Sequence, residues 1–165
     1  MAPPPLLQKG RAASALLLLA AQVALCAAPS CAATPPPFRL LLEFVVAPRT
    51  NQNSPVPLSL VAINDPKLFE RVAQLNAKQW FEQRDQIRRD FPGGQAFSEW
   101  EWEYVPGQAP PPVVVEIDGH AVGALIFANY RVSGDHRFRL GPQQRLRIDV
   151  GDDDLTMTPL DAPAE

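Results

Sequence analysis

The chain has 165 residues, with 15 Lys+Arg against 18 Asp+Glu for a net charge of −3, 19 prolines and two cysteines. That length suits one domain, and the acidic balance argues against nucleic acid, which needs a basic face. Cys26 and Cys31 lie near the start with no cysteine after them, so a disulfide framework is excluded for the remainder.

In chain order, the first segment reads as an export signal. Lys9 and Arg11 give a positive start, residues 12–25 form an uncharged Leu/Ala-rich run, and small residues lead to Ser30 and Cys31. The run falls short of the roughly 20 residues that a bilayer span takes, and no longer apolar run follows. The segment resembles a bacterial lipoprotein signal, in which a cysteine becomes the first mature residue and is lipidated, as with palmitate. Cys26 follows bulky Leu25, where such signals place small residues. Cys31 follows Ser30, with Ala28 nearby, and is assigned as the lipidation residue. A plain secretory signal, with both cysteines incidental or paired in an uncleaved chain, is the competing reading. Ala32 rather than Asp follows Cys31, which by resemblance directs the protein to the outer membrane. Durable anchoring needs two or more acyl chains, which lipoprotein processing supplies. Without residues 1–30 the chain carries 13 Lys+Arg against 18 Asp+Glu, a net charge of −5.

Residues 31–37 form a Pro-rich tether, 38–158 a β-sandwich domain and 159–165 a flexible tail. Residues 38–47, FRLLLEFVVA, predict a strand, and a polar break separates them from a second apolar strand at 56–63. Asp65 before Pro66 marks a helix start: a capping side chain, then a proline where no amide is needed. Leu68, Phe69, Val72 and Leu75 follow at helical spacing. Asn76 with Gln79 is a second capping signature, so residues 66–91 are compatible with two helices as well as with one. Pro92, Gly93 and Gly94 end the helical pattern.

Residues 98–105, SEWEWEYV, alternate strictly, with Trp100, Trp102 and Tyr104 on one face and Glu99, Glu101 and Glu103 on the other; Trp100 and Trp102 are expected to be mostly buried and the three glutamates mostly exposed. Further strands are predicted at 113–117, 121–131, 136–140 and 145–150, with a short edge strand at 155–158. Two strands, a helical excursion and then short strands at regular spacing indicate a mainly β fold: an antiparallel β-sandwich with a helical insertion after the second strand.

Candidate chemistry is sparse. His120 and His136 lie beside turns with no further ligands at metal-like spacing, and are expected to be exposed and non-ligating. No Gly-x-Ser-x-Gly occurs. No catalytic residue, cofactor or metal is assigned, and the chain is not expected to be an enzyme. Asp152, Asp153 and Asp154 read as a solvated hairpin turn rather than a calcium loop. Trp100, Trp102 and Tyr104 are compatible with a sugar-stacking platform, but more simply form core beneath the amphipathic helix. The loop at 48–57 carries one charge, three side-chain amides and two hydroxyls between prolines. Such a preorganised polar loop loses little entropy on docking; an ordinary strand connection is the equal alternative.

The order of these features resembles a known family. A lipidation cysteine precedes an apolar strand and a loop with asparagine and a small residue before proline, here residues 51–57. A strand, a helix near Leu68 and Phe69, and Pro-Gly-Gln at 106–108 come next. GALIFANYR at 123–131 ends in arginine, and an aromatic and arginine strand occupies 136–140. This is similar to the TssJ family, the outer-membrane lipoproteins of type VI secretion systems. It departs where that family has tryptophan-arginine and this chain has His136-Arg137-Phe138-Arg139, and in a longer, more aromatic stretch at 77–102, as in a divergent or accessory branch.

The resemblance implies a transthyretin-like sandwich on the periplasmic face of the outer membrane, acting as an assembly subunit. The domain would grip the C-terminal periplasmic part of the TssM-like subunit that spans the periplasm, through the loop at 48–55. Arg49, Asn51, Gln52 and Asn53 are the expected partner contacts, because they exchange hydrogen bonds without needing burial in the free domain. The competing function is a lipid-anchored carbohydrate- or peptidoglycan-binding module using Trp100, Trp102 and Tyr104, and the exposure of those rings discriminates the two.

Replacement of Cys31→Ser is expected to leave the protein unlipidated, whereas Cys26→Ser should still mature. Mass spectrometry of the mature N-terminus checks this, and an acylated Cys26 overturns the assignment.

Overall fold

A computed structural model describes residues 35–141 and 144–160. The predicted signal segment, Cys26, Cys31 and most of the predicted C-terminal tail lie outside the described residues. Eight strands form two four-stranded sheets. The first sheet has the order β4 (Val113–Ile117), β1 (Phe38–Val46), β7 (Arg145–Val150), β8 (Leu155–Pro159). The second has the order β3 (Phe97–Tyr104), β2 (Val56–Ile63), β5 (Gly123–Ala128), β6 (Arg137–Leu140). All pairs are antiparallel except β1 with β7, which run parallel from Leu41 opposite Arg145 to Val46 opposite Val150. Parallel neighbours need a long crossover, and nearly the whole domain separates these two.

Alternation sets the interior of the sandwich. Leu40, Leu42, Phe44 and Val46 of β1 point inward, as do Leu146, Ile148 and Val150 of β7, against Leu58, Leu60 and Ala62 of β2. β2 is apolar on its other face as well, and there the helical insertion covers it. Helix α2 (Pro66–Val72) starts where Asp65 accepts the Leu68 amide at 2.7 Å with Pro66 in the first turn. Helix α3 (Ala77–Asp90) starts on a reciprocal capping box between Asn76 and Gln79. The insertion is thus two helices. Val61, Ile63, Leu125 and Phe127 of the sheet meet Leu68, Val72, Trp80 and Ile87 of the helices, with Trp80 stacked on Phe127 at 5.1 Å.

β3 runs one residue earlier than the predicted 98–105, and its faces work differently from the expectation. Trp100, Trp102 and Tyr104 are opposite Leu60, Leu58 and Val56 and turn into the sandwich, away from the helices. The Phe44 ring lies 5.4 Å from Trp102 and 5.0 Å from Tyr104. Tyr104 is buried and both tryptophans are half-buried, because β3 is an edge strand. The glutamate face lies toward the helices. Glu103 and Glu101 are exposed, but the Glu99 side chain is only 8% exposed, which corrects the expectation for that residue. Arg88 donates to Glu99 at 2.9 Å and to Glu101 at 2.9 Å, and Arg84 pairs with Glu101. The strand predicted at 121–131 shortens to Gly123–Ala128.

Inside this layer one polar chain is complete. Trp80 Nε1 donates to the fully buried Ser59 hydroxyl at 2.9 Å, and Ser59 donates to Glu99 at 2.7 Å. A buried hydroxyl needs such partners. Glu99→Ala is expected to lower unfolding stability by about 1–3 kcal/mol, since Ser59 and Arg88 lose an acceptor. Glu101→Ala, more open to solvent, should cost no more than about 1 kcal/mol. Urea unfolding of the two variants checks the difference.

Candidate functional site

The β1–β2 connection is built at one end of the sandwich, where β1 stops and β2 begins. Its first residues follow β7: Ala47 N donates to Val150 O at 2.9 Å, while Ala47 O accepts from Gly107 N at 2.9 Å. The chain then enters a single turn, α1 (Thr50–Asn53), whose backbone is left-handed. Asn51, Gln52 and Asn53 have φ of 50°, 54° and 60°. That region is costly for residues with a Cβ. Asparagine tolerates it best among them, and two of the three are asparagines.

Buried side chains hold the turn in place. Thr50 is fully buried and its hydroxyl donates to Gly151 O at 2.6 Å. Asn51 is 3% exposed: its Nδ2 donates to Pro55 O at 2.6 Å, and its Oδ1 accepts the Arg131 amide at 2.6 Å. The Asn51 amide donates to Asp152 O at 2.7 Å. Through its side chain and its backbone amide, this one residue therefore ties together the β1–β2, β5–β6 and β7–β8 connections. Burial raises the Tyr130 phenol above its ordinary value, with the Asp154, Asp153 and Asp152 charges adding to this, so it stays a neutral donor to Gly151 O at 3.2 Å.

His136 closes the same end. Contrary to expectation it is buried, at 7% exposure, and has φ 44°. Its Nδ1 lies 2.9 Å from Asp154 Oδ1 and its Nε2 3.0 Å from Val132 O, and its ring is 5.0 Å from Tyr130. A carbonyl only accepts, so Nε2 carries a proton in that bond. His120 is exposed beside Asp118. The three aspartates do sit on a hairpin turn, closed by Gly151 N to Asp154 O at 2.9 Å.

Of the four expected contacts, Arg49, Gln52 and Asn53 face solvent, and Arg49 approaches Asp152 at 3.5 Å. Asn51 does not: it is a buried support, and the assumption that it acts without burial is corrected. The loop's composition carried no sign of this, because its partners Arg131 and Asp152 lie about 80 and 100 residues away in sequence. Nor did sequence reasoning single out Thr50 or Tyr130. Asn51→Ala is expected to cost about 1–3 kcal/mol by stranding the Arg131 amide and the Pro55 carbonyl. Gln52→Gly should change stability by less than about 1 kcal/mol, since glycine relieves the left-handed backbone but adds unfolded-state freedom. Thermal and urea unfolding measure both.

No protein-family model matches the sequence, and no curated protein matches it either. Solved structures do. The T6SS lipoprotein TssJ1 from Pseudomonas aeruginosa is similar at TM-score 0.58 and 21% identity, over 78% of this chain and 100% of that one. Serratia marcescens Lip, a membrane-bound component of the type VI secretion system, is similar at TM-score 0.57 and 13% identity, over 78% and 99%. A structure of the T6SS protein TssM C-terminal domain from EAEC gives TM-score 0.50 and 16% identity, over 76% and 99%. At these identities the likeness is one of fold: this chain is a β-sandwich with the architecture of the TssJ-type secretion lipoproteins.

Proposed function

We propose that this chain is a lipid-anchored assembly subunit of a type VI secretion membrane complex. Cys31 carries the lipid on the periplasmic face of the outer membrane, residues 31–37 are the tether, and the sandwich holds a TssM-like periplasm-spanning subunit without turning over a substrate. The observation that carries the reading is the β1–β2 turn. Its amide-bearing tip, Gln52 and Asn53 with Arg49 beside it, is presented to solvent by a buried Thr50 and Asn51 latch, on a fold shared with secretion lipoproteins. A tip fixed in one backbone conformation loses little entropy when a partner docks. Left-handed residues held by their surroundings are also a recurrent feature of ligand clamps.

The carbohydrate reading loses its platform, because the rings of Trp100, Trp102 and Tyr104 lie on the face turned into the sandwich. The test is titration of the purified C-terminal periplasmic domain of the TssM-like subunit against wild type and the Arg49→Ala, Gln52→Ala, Asn53→Ala triple variant. Asn51 is left intact so that the loop keeps its shape. Affinity should fall about tenfold or more if one of the three is a hot spot. Equal affinities, with both proteins folded, move the interface elsewhere on the sandwich.

A further inference from the structure

A groove opens at the loop end, between the first turns of α3 and the chain leaving β5. Its two compartments, of about 170 Å³ and 430 Å³, share Lys78, Asn129, Tyr130 and Arg131 along their lining, and Phe81 and Glu82 border the larger one. Alternation carried past the end of β5 sets which side chains reach it. Ala128, Tyr130 and Val132 pack against the interior of the sandwich, whereas Phe127 lies under α3, stacked on Trp80. Asn129 and Arg131 therefore fall on the α3 side, in agreement with their place in the lining. On the helix, Lys78, Phe81 and Glu82 stand at i, i+3 and i+4 and so share one face.

Charge in the groove is unbalanced. Lys78 and Arg131 are exposed, and among the described residues neither side chain has a hydrogen bond or an ion pair. Arg84, Arg88 and Arg137 each meet a carboxylate instead. Two like charges lining one groove repel each other and focus a positive potential within it. Two cations fall short of the clusters of about 4–8 Lys/Arg that recognise anionic lipid. Glu82, also without an ion pair among the described residues, would repel an extended anionic surface. What fits is a single carboxylate on a segment that is otherwise uncharged or basic. Position indicates where it comes from. The Arg131 amide is the one bonded to Asn51 Oδ1 at 2.6 Å, and Asn129 N donates to Pro57 O at 2.8 Å. The groove wall is thus bonded directly to the turn that carries Gln52 and Asn53 and to the start of β2, and a protein seated on that tip would lie alongside it.

We propose that this groove is a second contact for the same partner, holding an Asp or Glu side chain of that protein between Lys78 and Arg131. The inference rests on the assembly role proposed above. The test uses the full chain in phosphatidylcholine vesicles and the purified C-terminal periplasmic domain of the TssM-like subunit. A carbodiimide joins an amine to a carboxylate only where the two are in contact, and mass spectrometry should find Lys78 crosslinked to an Asp or Glu of the partner. Lys78→Ala with Arg131→Ala should weaken binding about tenfold at low salt and flatten its salt dependence. Lys78→Arg with Arg131→Lys keeps both charges and should retain most of the affinity. Neither side chain holds a hydrogen bond in the free domain, every variant keeps the Arg131 amide that meets Asn51, and the crosslink needs no variant at all. Equal affinities for wild type and the alanine pair, or crosslinks that avoid Lys78, overturn this contact and leave the loop assignment standing, since that is read from the tip variant. Absence of any binding by wild type overturns both. An effect of the alanine pair seen only on added phosphatidylglycerol vesicles assigns the groove to lipid and also overturns it.

Discussion

The fold depends on one strand being buried on both faces. β2 packs Leu58, Leu60 and Ala62 into the sandwich and Val61 and Ile63 under the helices, so it is the middle of a three-layer molecule. A strand in that position exposes no polar group to water, yet Ser59 sits on it, fully buried. Trp80 and Glu99 resolve the conflict by giving that hydroxyl a donor and an acceptor. The consequence reaches outward: Glu99 must itself be neutralised, which is done by Arg88 on α3, with Arg84 and Glu101 beside it. The ionic edge and the buried indole are two ends of one network. Networks of this kind favour one packing of the layers when fully satisfied.

The same logic operates at the loop end, with an amide in place of a hydroxyl. Asn51 is buried because three chain segments need its hydrogen bonds, and its left-handed backbone is tolerated because those bonds over-determine it. His136, also at positive φ, does the corresponding work for the β5–β6 connection by meeting Asp154 and Val132. What faces the solvent is then the remainder of the turn, Gln52 and Asn53, held in place by buried neighbours.

Most of the architecture was legible because it is local. The Asp65-Pro66 start, the Asn76 and Gln79 box and the two-residue alternation of SEWEWEYV all act within a few residues, and each appears where the pattern placed it. The face of β3 that meets the helices was not legible: alternation fixes which residues share a side, not which layer lies there. Aromatics suited a covered face, but the arginines of α3 made the glutamate face suitable for covering as well. The parallel pairing of β1 with β7 and the burial of Asn51 and His136 escaped for the same reason. Each is decided by a partner far along the chain, and no local pattern encodes it.

The placement of the two ends on β1 has a mechanical meaning in the proposed assembly. Residues 35–37 lead into β1 beside Gly119, where the carbonyls of Pro35 and Pro36 pass so closely that a side chain would clash. The candidate docking loop leaves from the other end of the same strand. A pull between membrane and partner would therefore run along β1. That strand is central in its sheet, paired with β4 from Phe38 to Leu42 and with β7 from Leu41 to Val46. Load along a strand held on both sides shears many ladder hydrogen bonds together, whereas load across an edge strand opens them one at a time. Latching the loop to β7 and the β7–β8 turn through Ala47, Thr50 and Asn51 extends that shared loading past the end of the strand. In the proposed assembly the left-handed turn would thus serve two purposes at once: it would aim the tip, and it would tie the tip to the strand that carries the load.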